Sequence, residues 1–407
     1  MNRIIILNLL GAVIFSKAQT KILFDATKAE MAGNGDWVID ADSHNLKANS
    51  NGTVTTGGSD SNPQRIPTPA QSGVTVNTSE TYWTGALSAW AIDLVKRGYI
   101  VETLPYNGKI TYGDSSNAQD LSNYKVYIID EPNLKFTTAE ANALVNFVNN
   151  GGGLFMISDH DISDRNGDGW DSPGVWNDIL SNNTVQPNPF GITFDLQNIS
   201  QTSTNIANLP TDPILHGPAG TPTQIQFSNG TTMTLNKVAN PSVKGLMFKT
   251  GSSASGTNNV LFATATYGLG KVCALGDSSV PDDGTGDPSD TLYNGYTGDA
   301  NGNHKPLLLN ATIWLATSSS NLNVNDWSGA ASEINIYPNP TSDYIYITNA
   351  KDSDGYQYSI TDFLGRNLEI GVVNSGKINV EKYNSGNYIL TVKSSSGIMR
   401  SFKFIKK

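Results

Sequence analysis

Apolar segments of strand length alternate with amphipathic segments along most of the chain, and this alternation narrows the fold class at once. Residues 21–24, 126–129 and 154–157 are the clearest strands, and acidic residues follow each of them closely. Residues 86–97 and the segment that begins at Thr137 space their apolar side chains as amphipathic helices do. Such an alternation predicts an α/β domain with a mostly parallel sheet flanked by helices.

The composition divides the chain into segments. Residues 19–317 form the predicted α/β domain, and an inserted loop at about residues 43–80 is too poor in large apolar side chains to build its own core. Residues 318–333 are a polar linker. Residues 334–407 contain short segments in which apolar and polar residues alternate, which predicts a small all-β sandwich domain.

The N-terminus and the charge balance limit where the protein acts. Residues 1–18 combine an early arginine, an apolar run and a small-residue cleavage site, as a signal peptide does. No later run approaches the roughly 20 apolar residues of a membrane helix, so we expect an exported protein without a membrane-spanning segment. The formal charge of −10 repels nucleic acid unless cations intervene. The single cysteine, Cys273, excludes an intramolecular disulfide and is expected to be buried in a strand.

Acidic residues stand at the ends of four predicted strands, namely Asp25, Glu131, Asp159 and Asp277. Because the carboxyl ends of parallel strands meet at one edge of a sheet, these side chains are expected to share a pocket. Gathered carboxylates repel each other unless a cation lies among them or one stays protonated. Asp25, Asp159 and Asp277 together with His160 therefore predict a site for a divalent metal ion such as Zn²⁺, Mn²⁺ or Mg²⁺. The alternative is that each acid only caps the turn after its strand.

A second pattern, Asp164-Arg165-Asn166-Gly167-Asp168-Gly169, fits the first half of a calcium loop. Asp164, Asn166 and Asp168 supply the alternate oxygen donors, which predicts structural calcium. The twelfth position holds Val175 instead of Glu, and Asp171 is the acid that could substitute for it. A catalytic role for part of the loop and a plain solvated turn are the alternatives.

The last segment carries a family resemblance. Its motifs are Tyr337-Pro338-Asn339-Pro340-Thr341, Thr361-Asp362-Phe363-Leu364-Gly365-Arg366, Ser385-Gly386-Asn387-Tyr388 and the closing Lys406-Lys407. Together they resemble the C-terminal sorting domain of the type IX secretion system of Bacteroidetes. The resemblance implies the type IX secretion machinery as a partner and a final location outside the cell or on its surface.

The larger domain has a resemblance of its own. The strand that ends at Asp25, the glycine-led strand that ends in Ser158-Asp159-His160, the strand before Asp277 and the closing helix at 307–316 carry it. They resemble the class I glutamine amidotransferase-like fold in its ThuA-like form. The segments DWVID at 36–40, SDHDISDRNGDGWDS at 158–172 and GDSS at 276–279 resemble a group of secreted bacterial proteins, some of which are joined to nucleic-acid-binding or nuclease-associated modules. Amidotransferases place a nucleophilic cysteine in a tight turn after a strand, whereas Ser158-Asp159-His160 has no cysteine nearby. The resemblance therefore implies the fold and not glutamine hydrolysis.

These features together predict a secreted, metal-dependent hydrolase, with Glu131 or Asp161 as general base beside the ion. A phosphoester or nucleic acid is the favoured substrate, because of the modules joined to similar proteins. A polysaccharide is the first alternative, so that the substrate is in either case an extracellular polymer. The rival hypothesis is a non-catalytic, calcium-stabilised glycan-binding surface protein, in which Trp83, Trp170 and Trp176 stack on sugars.

Overall fold

The computed structural model describes part of the chain, and the chain forms two compact units, Met1–Ser319 and Ser320–Lys407. The predicted signal peptide and linker and much of the loop at 43–80 lie outside the described part. The described residues are 19–32, 35–41, 46–48, 51, 54–56, 68–286, 293–299, 304–317, 335–348, 356–362, 367–393 and 399–407.

Strands and helices alternate in the first unit, and strands make up the described part of the second. The first unit contains β1 (Lys21–Asp25), β2 (Met31–Ala32), β3 (Gly35–Asp36), β4 (Leu46–Ala48), β5 (Val54–Thr56), α1 (Ser88–Lys96), β6 (Ile100–Leu104), a 3₁₀ turn (Leu121–Asn123), β7 (Val126–Asp130), α2 (Thr138–Asn149), β8 (Gly153–Ile157), α3 (Ser172–Asn182), β9 (Ile192–Phe194), β10 (Ile199–Ser203), β11 (Asn205–Ile206), β12 (Ile225–Gly230), β13 (Met233–Leu235), β14 (Lys244–Phe248), β15 (Val260–Tyr267), β16 (Gly270–Leu275) and α4 (His304–Ala316). The second contains β17 (Asn335–Tyr337), β18 (Tyr344–Thr348), β19 (Gln357–Asp362), β20 (Asn367–Val372), β21 (Lys377–Asn379), β22 (Gly386–Lys393) and β23 (Met399–Lys406).

The central sheet of the first unit joins a parallel block to an antiparallel edge. Its strands lie in the order β11-β14-β15-β16-β8-β7-β1-β6. From β16 to β6 every neighbouring pair is parallel, whereas the pairs from β11 to β16 are antiparallel. The predicted α/β class with a mostly parallel sheet is confirmed. The carboxyl ends of β16, β8, β7 and β1 consequently lie along one edge, where the following loops meet.

The glycine turn before β8 shows how the sequence brings helices against this sheet. A Cβ atom on Gly152 would lie 2.4 Å from the ring of Phe147 in α2, and one on Gly153 would lie 2.7 Å from Leu315 in α4. Only glycine allows both helices to approach so closely. At the start of α2, Thr137 and Glu140 form the reciprocal hydrogen bonds of a capping box.

The core of the first unit is built from aromatic and aliphatic side chains on both faces of the sheet. Trp90 of α1 is fully buried and contacts Phe24 and Phe155 edge to face, with ring centroids 5.6 and 5.5 Å apart. Cys273 of β16 is also fully buried, as expected, and burial raises the pKa of its thiol well above the ordinary value. Cys273 therefore belongs to the packing and not to the chemistry.

The second unit is a small all-β sandwich, as the alternating pattern predicts. Its sheets have the orders β17-β18-β21 and β20-β19-β22-β23, and every pairing within them is antiparallel. Ile345 and Ile378 of one sheet pack in a single buried cluster with Ile360, Leu390 and Phe404 of the other.

The longest helix among the described residues, α4, has 13 residues, and no described helix is long and apolar enough to cross a membrane.

The sequence pattern does not predict α3, which begins directly after Asp171. Its first residues, Ser172-Pro173, are good helix starters, but the polar run before them masked the signal.

Gly276 gives a direct test of the packing that places Asp277. A Cβ atom on Gly276 would lie 2.0 Å from the carbonyl oxygen of Thr231. The amide of Thr231 donates a hydrogen bond to the carbonyl of Gly276, so the two backbones lie in direct contact. We expect Gly276→Ala to lower the free energy of unfolding by about 1–3 kcal/mol in urea titrations. Gly256→Ala is the matched control, because its Cβ would stay 3.4 Å from the nearest atom. Equal stability of the two variants would contradict this packing.

Candidate active site

The four predicted acids follow neighbouring parallel strands and are all buried. Asp25 is the last residue of β1, and Glu131 is the first residue after β7. Asp159 and Asp277 lie two residues beyond β8 and β16. Burial raises the pKa of Asp159 well above its ordinary value, and the charges of Glu131 and Asp277 raise it further. Three of the four acids therefore share one electrostatic environment.

A pocket of about 160 Å³ opens at this edge of the sheet. Asp159 and His160 line it, whereas Glu131 and Asp277 are not among its lining residues. Pockets that enclose a whole drug-sized ligand measure about 300–1,000 Å³, so this pocket suits a single functional group of a larger molecule. The residues that line it are Ala32, Asp159, His160, Arg165, Ser228, Asn229, Ser278, Ser279 and Tyr293.

Arg165 supplies the positive charge among these acids. Its Nε donates a hydrogen bond to Glu131 Oε1 at 3.1 Å, and its Nη2 donates to Asp159 Oδ2 at 3.1 Å. Burial lowers the pKa of Arg165, but the two carboxylates raise it by more, so the net shift is upward. One forked guanidinium thus neutralises and orients two acids from different strands.

Glu131 lies behind the pocket with no exposed surface. Its Oε2 accepts hydrogen bonds from Trp37 Nε1 at 2.8 Å and from Ser278 Oγ at 2.7 Å, in addition to the bond from Arg165. Its backbone φ of 45° is unusual for a residue with a side chain and marks a tight turn after β7. Glu131 therefore fixes the positions of Arg165 and Ser278.

His160 joins Asp159 on the pocket wall. Its Nε2 lies 3.4 Å from Asp159 Oδ2, and its Nδ1 lies 2.7 Å from the carbonyl oxygen of Asp161. The same Nδ1 lies 3.1 Å from Asn198 Nδ2, so it is held between the Asp161 carbonyl and the Asn198 amide. Nε2 is the ring nitrogen that faces Asp159. Because both ring nitrogens are engaged, His160 has none left to activate Ser278.

Asp277 does not line the pocket, but it holds serines that do. Its Oδ1 accepts hydrogen bonds from the amide and the hydroxyl of Ser279, at 2.8 and 2.6 Å, and its Oδ2 accepts one from the amide of Ser228. Burial raises the pKa of Asp277 to about 7, against these bonds, which lower it. Asp277 thereby holds two serines of the pocket in place.

Asp25 is paired differently from the other three acids. The pKa of Asp25 is raised by burial and lowered by Glu30, Tyr127 and Lys28. Burial and then Asp25 raise the pKa of Glu30 well above its ordinary value. Asp25 and Glu30 thus form a separate buried acidic pair beside the pocket.

The predicted ion site of Asp25, Asp159, His160 and Asp277 is not assembled as a ligand set. In the part of the chain that the structure describes, no three His, Cys, Asp or Glu side chains lie together so that they could hold a metal ion. The physical reason is that Arg165 stands between Asp159 and Glu131, where the expected cation would be. Metal dependence stays a prediction.

The predicted calcium loop forms a tight turn around its own amides. The side chains of Asp164, Asn166 and Asp168 accept hydrogen bonds from the amides of Gly169, Asp168 and Trp170, at 3.0, 3.1 and 2.9 Å. These contacts are those of a stable polar turn, and structural calcium stays a prediction.

Asp161, the alternative general base, does not line the pocket. Its amide donates a hydrogen bond to Gln197 at 2.8 Å, and its carbonyl holds His160. Burial raises the pKa of Asp161, and the charge of Asp171 raises it further. Asp161 contributes to the pocket through its backbone, and its role as a base stays a prediction.

Three contributors to the site were not predicted. The sequence does not single out Arg165, because it occupies a non-ligand position of the calcium pattern, or Ser278, because serine is common in turns.

Asp130, the third of these residues, is next to Glu131 and is buried. Neither of its carboxyl oxygens has a hydrogen-bond partner among the described residues. Burial, followed by the charges of Glu131 and Asp277, raises the pKa of Asp130 well above its ordinary value.

Two of the three tryptophans proposed to stack on sugars are buried. Trp83 is 4% exposed, and Trp176 has no exposed surface and donates its Nε1 hydrogen to the Ile157 carbonyl at 2.9 Å. That part of the glycan-binding hypothesis is wrong, because both indoles belong to the core. Trp170 alone is partly exposed.

The buried acids predict an unusual pH dependence of stability. The pKa of Asp277 is raised to about 7, and those of Glu30, Asp130 and Asp159 are also raised. The folded state then binds protons that the unfolded state has released. The contribution of these acids to the free energy of unfolding is therefore complete below about pH 4, and it is lost as the pH rises through their native-state pKa values. Asp277 alone accounts for a loss on the order of 4 kcal/mol between pH 4 and 7. His304 acts oppositely, because burial lowers its pKa and folding then loses stability below about pH 6.5.

Urea unfolding of the full chain at several pH values measures this dependence. We expect the free energy of unfolding to fall from pH 5 to pH 8, and Asp159→Asn to make that fall smaller. A free energy that rises steadily over this range would contradict the account of the buried acids.

Three comparisons place the chain among known proteins. Residues 335–407 match the family model of the secretion system C-terminal sorting domain. The search of curated protein sequences gave no match. Among solved structures, the IFT52 N-terminal domain is similar at 15% identity and a TM-score of 0.41, over 73% of this chain and 98% of that chain.

Two bacterial structures are similar over a comparable share of the chain. A cytoplasmic protein from Salmonella typhimurium shows 13% identity and a TM-score of 0.40, over 73% of this chain and 98% of that chain. A ThuA-like protein from Parabacteroides merdae shows 10% identity and a TM-score of 0.34, over 74% of this chain and 90% of that chain.

The sorting-domain match agrees with the motifs at the C-terminus and with the β-sandwich of the second unit. Residues 335–407 are therefore a C-terminal sorting domain of the type IX secretion system, and the protein is secreted or held at the cell surface.

Proposed function

We propose that the pocket is the active site of a secreted hydrolase in which Asp159 and His160 exchange protons with the substrate and with water. The observation that carries the proposal is the convergence of Asp159, His160 and Arg165 on one small pocket at the carboxyl edge of a parallel sheet.

The Asp159–His160 pair has the properties of an acid–base group. Burial raises the pKa of Asp159 well above its ordinary value, which favours its protonated form, and a general acid must carry a proton. His160 Nε2, at 3.4 Å, can take up that proton or return it. The pair could therefore protonate a leaving group and then accept a proton from the attacking water.

The other residues position this pair. Arg165 holds Asp159 through Nη2 and has a partly exposed side chain, so it could also stabilise negative charge that develops on the substrate. The hydroxyl groups of Ser278 and Ser279 on the same wall could orient a water molecule. Glu131, whose oxygens are occupied by three donors, supports Arg165 and Ser278, and its use as a general base stays a prediction.

The charge of the pocket favours a neutral substrate. Arg165 is already paired with two carboxylates, so no surplus positive charge is left to bind a phosphodiester. We therefore place a polysaccharide ahead of a nucleic acid as the substrate class.

An activity screen of the purified full chain tests this function. The panel consists of soluble neutral polysaccharides, DNA, RNA and a chromogenic phosphomonoester. We expect turnover of a neutral polysaccharide and none of the phosphoesters. Turnover confined to phosphoesters, or no turnover of any substrate, would contradict the proposal.

A further inference from the structure

A second cavity, of about 660 Å³, lies among the loops at the same edge of the sheet. We call it the groove. Thr27 after β1, Tyr106 after β6, Leu134 after β7 and Trp170 before α3 are among the residues that line it. It is four times as large as the pocket, so it can hold a substantial part of a ligand and not only one group.

The groove and the pocket are built from the same two segments. In the first segment, Thr27 and Lys28 line the groove and Ala32 lines the pocket. In the second, Trp170 lines the groove and Arg165 lines the pocket. The same two loops therefore supply lining residues to both cavities.

The cations of the groove are already neutralised. Lys28 Nζ lies 2.7 Å from Glu140, and Lys135 Nζ lies 2.8 Å from Asp178. The groove lining itself contains two lysines and two carboxylates, Glu140 and Asp168, which cancel. Recognition of a polyanion needs unpaired cations, so the groove is unsuited to nucleic acid.

The remaining lining combines apolar and hydrogen-bonding groups. Tyr106 and Trp170 are partly exposed aromatic residues, and Leu134 adds aliphatic surface. Thr27 and Asn107 add a hydroxyl and an amide. Aromatic rings offer apolar faces, and polar groups around them fix orientation. A sugar ring needs both, because it has apolar C–H faces and a rim of hydroxyl groups.

We infer that the groove binds a neutral carbohydrate chain and presents one of its linkages to the pocket. Presentation of a linkage to the pocket rests on the proposed function, whereas binding in the groove does not, because binding does not require hydrolysis. Trp170 is the residue shared by this site and by the glycan-binding hypothesis, although Lys135 Nζ lies 4.0 Å over its ring and must move aside for direct stacking.

Calorimetric titration with soluble neutral polysaccharides, laminarin and xyloglucan, tests the groove. The full chain with Asp159→Asn is used so that the polysaccharide stays intact. Adding Tyr106→Ala or Trp170→Ala should weaken binding about tenfold or more, which corresponds to roughly 1.4 kcal/mol. Tyr82→Ala is the matched control, because Tyr82 is an exposed aromatic residue outside the groove, and it should bind as the parent does.

Three results would overturn the groove proposal. The first is that the Asp159→Asn chain binds neither polysaccharide, and the second is that it binds single-stranded DNA more strongly than either of them. The third is unchanged affinity in the Tyr106→Ala variant, and this variant alone is decisive if thermal unfolding shows that Trp170→Ala is misfolded. Polysaccharide binding by the Asp159→Asn chain without turnover by the natural chain would instead refute the hydrolase alone.

Discussion

Replacing Asp159 with Asn is expected to reduce kcat on the substrate found in the screen by about 10²–10⁴-fold, the usual contribution of a general acid–base group. The variant keeps the shape of the side chain and an oxygen for Arg165, but it has no proton to exchange. Its free energy of unfolding at pH 7 should be equal to that of the natural chain or higher, because burial disfavours the charged form of Asp159 and Asn carries no charge.

Activity and stability must be measured on the same preparation. Asp114→Asn is the matched control, since Asp114 bonds to Ser116 and does not line the pocket. Loss of turnover without loss of stability supports Asp159 as a catalytic residue. Retained turnover, or a collapse of stability that accounts for lost turnover, contradicts that role.

Replacing Arg165 with Met is expected to lower the free energy of unfolding at pH 8 by about 3–5 kcal/mol, as removal of one partner from a buried ion pair does. The loss leaves Glu131, which has no exposed surface, beside Asp159 without a cation between them. The effect should be smaller at pH 5, because the pKa of Asp159 is raised and its protonation at lower pH weakens the repulsion.

Two further variants separate charge from packing. Arg165→Lys keeps the charge but not the fork, so it should recover only part of the stability. Glu131→Gln added to Arg165→Met should also recover stability, because it removes the unpaired charge. A loss of equal size at pH 5 and pH 8, with no rescue by Glu131→Gln, would show that Arg165 acts only through packing.

Much of the fold was predictable because its strands are short apolar runs with clear ends. β1, β7, β8 and β16 each end near an acid, and the parallel pairing of these strands brings the acids to one edge. α3 was missed because its start is masked by the polar residues before it. Propensity is local, whereas the contact that fixes α3, between Trp176 and the β8 carbonyl of Ile157, is not.

The site was predictable as a place but not as a chemical arrangement. The order of strands fixes which loops meet, and in the structure Glu131 and Asp277 lie near enough to Asp159 for their charges to raise its pKa. Which cation lies among them depends on the path of the loop after β8, and that loop returns Arg165 to the acids. Strand order also cannot show that Asp25 turns toward Glu30 instead.

The exposure of aromatic side chains was equally beyond the sequence. Trp83 and Trp176 lie in polar-looking segments but are buried by contacts with distant residues. Trp170, six residues before Trp176, faces the groove. Only tertiary packing separates an indole of the core from one that can meet a ligand.

The central claim is that Arg165 is the cation that completes the acidic pocket of the proposed hydrolase. Turnover of the substrate by the full chain, measured before and after exhaustive treatment with EDTA, tests it most directly. The account predicts the same kcat in both samples. A loss of turnover that Zn²⁺, Mn²⁺ or Mg²⁺ restores would contradict it. That result would favour the metal-dependent hydrolase that the acids at the strand ends predict.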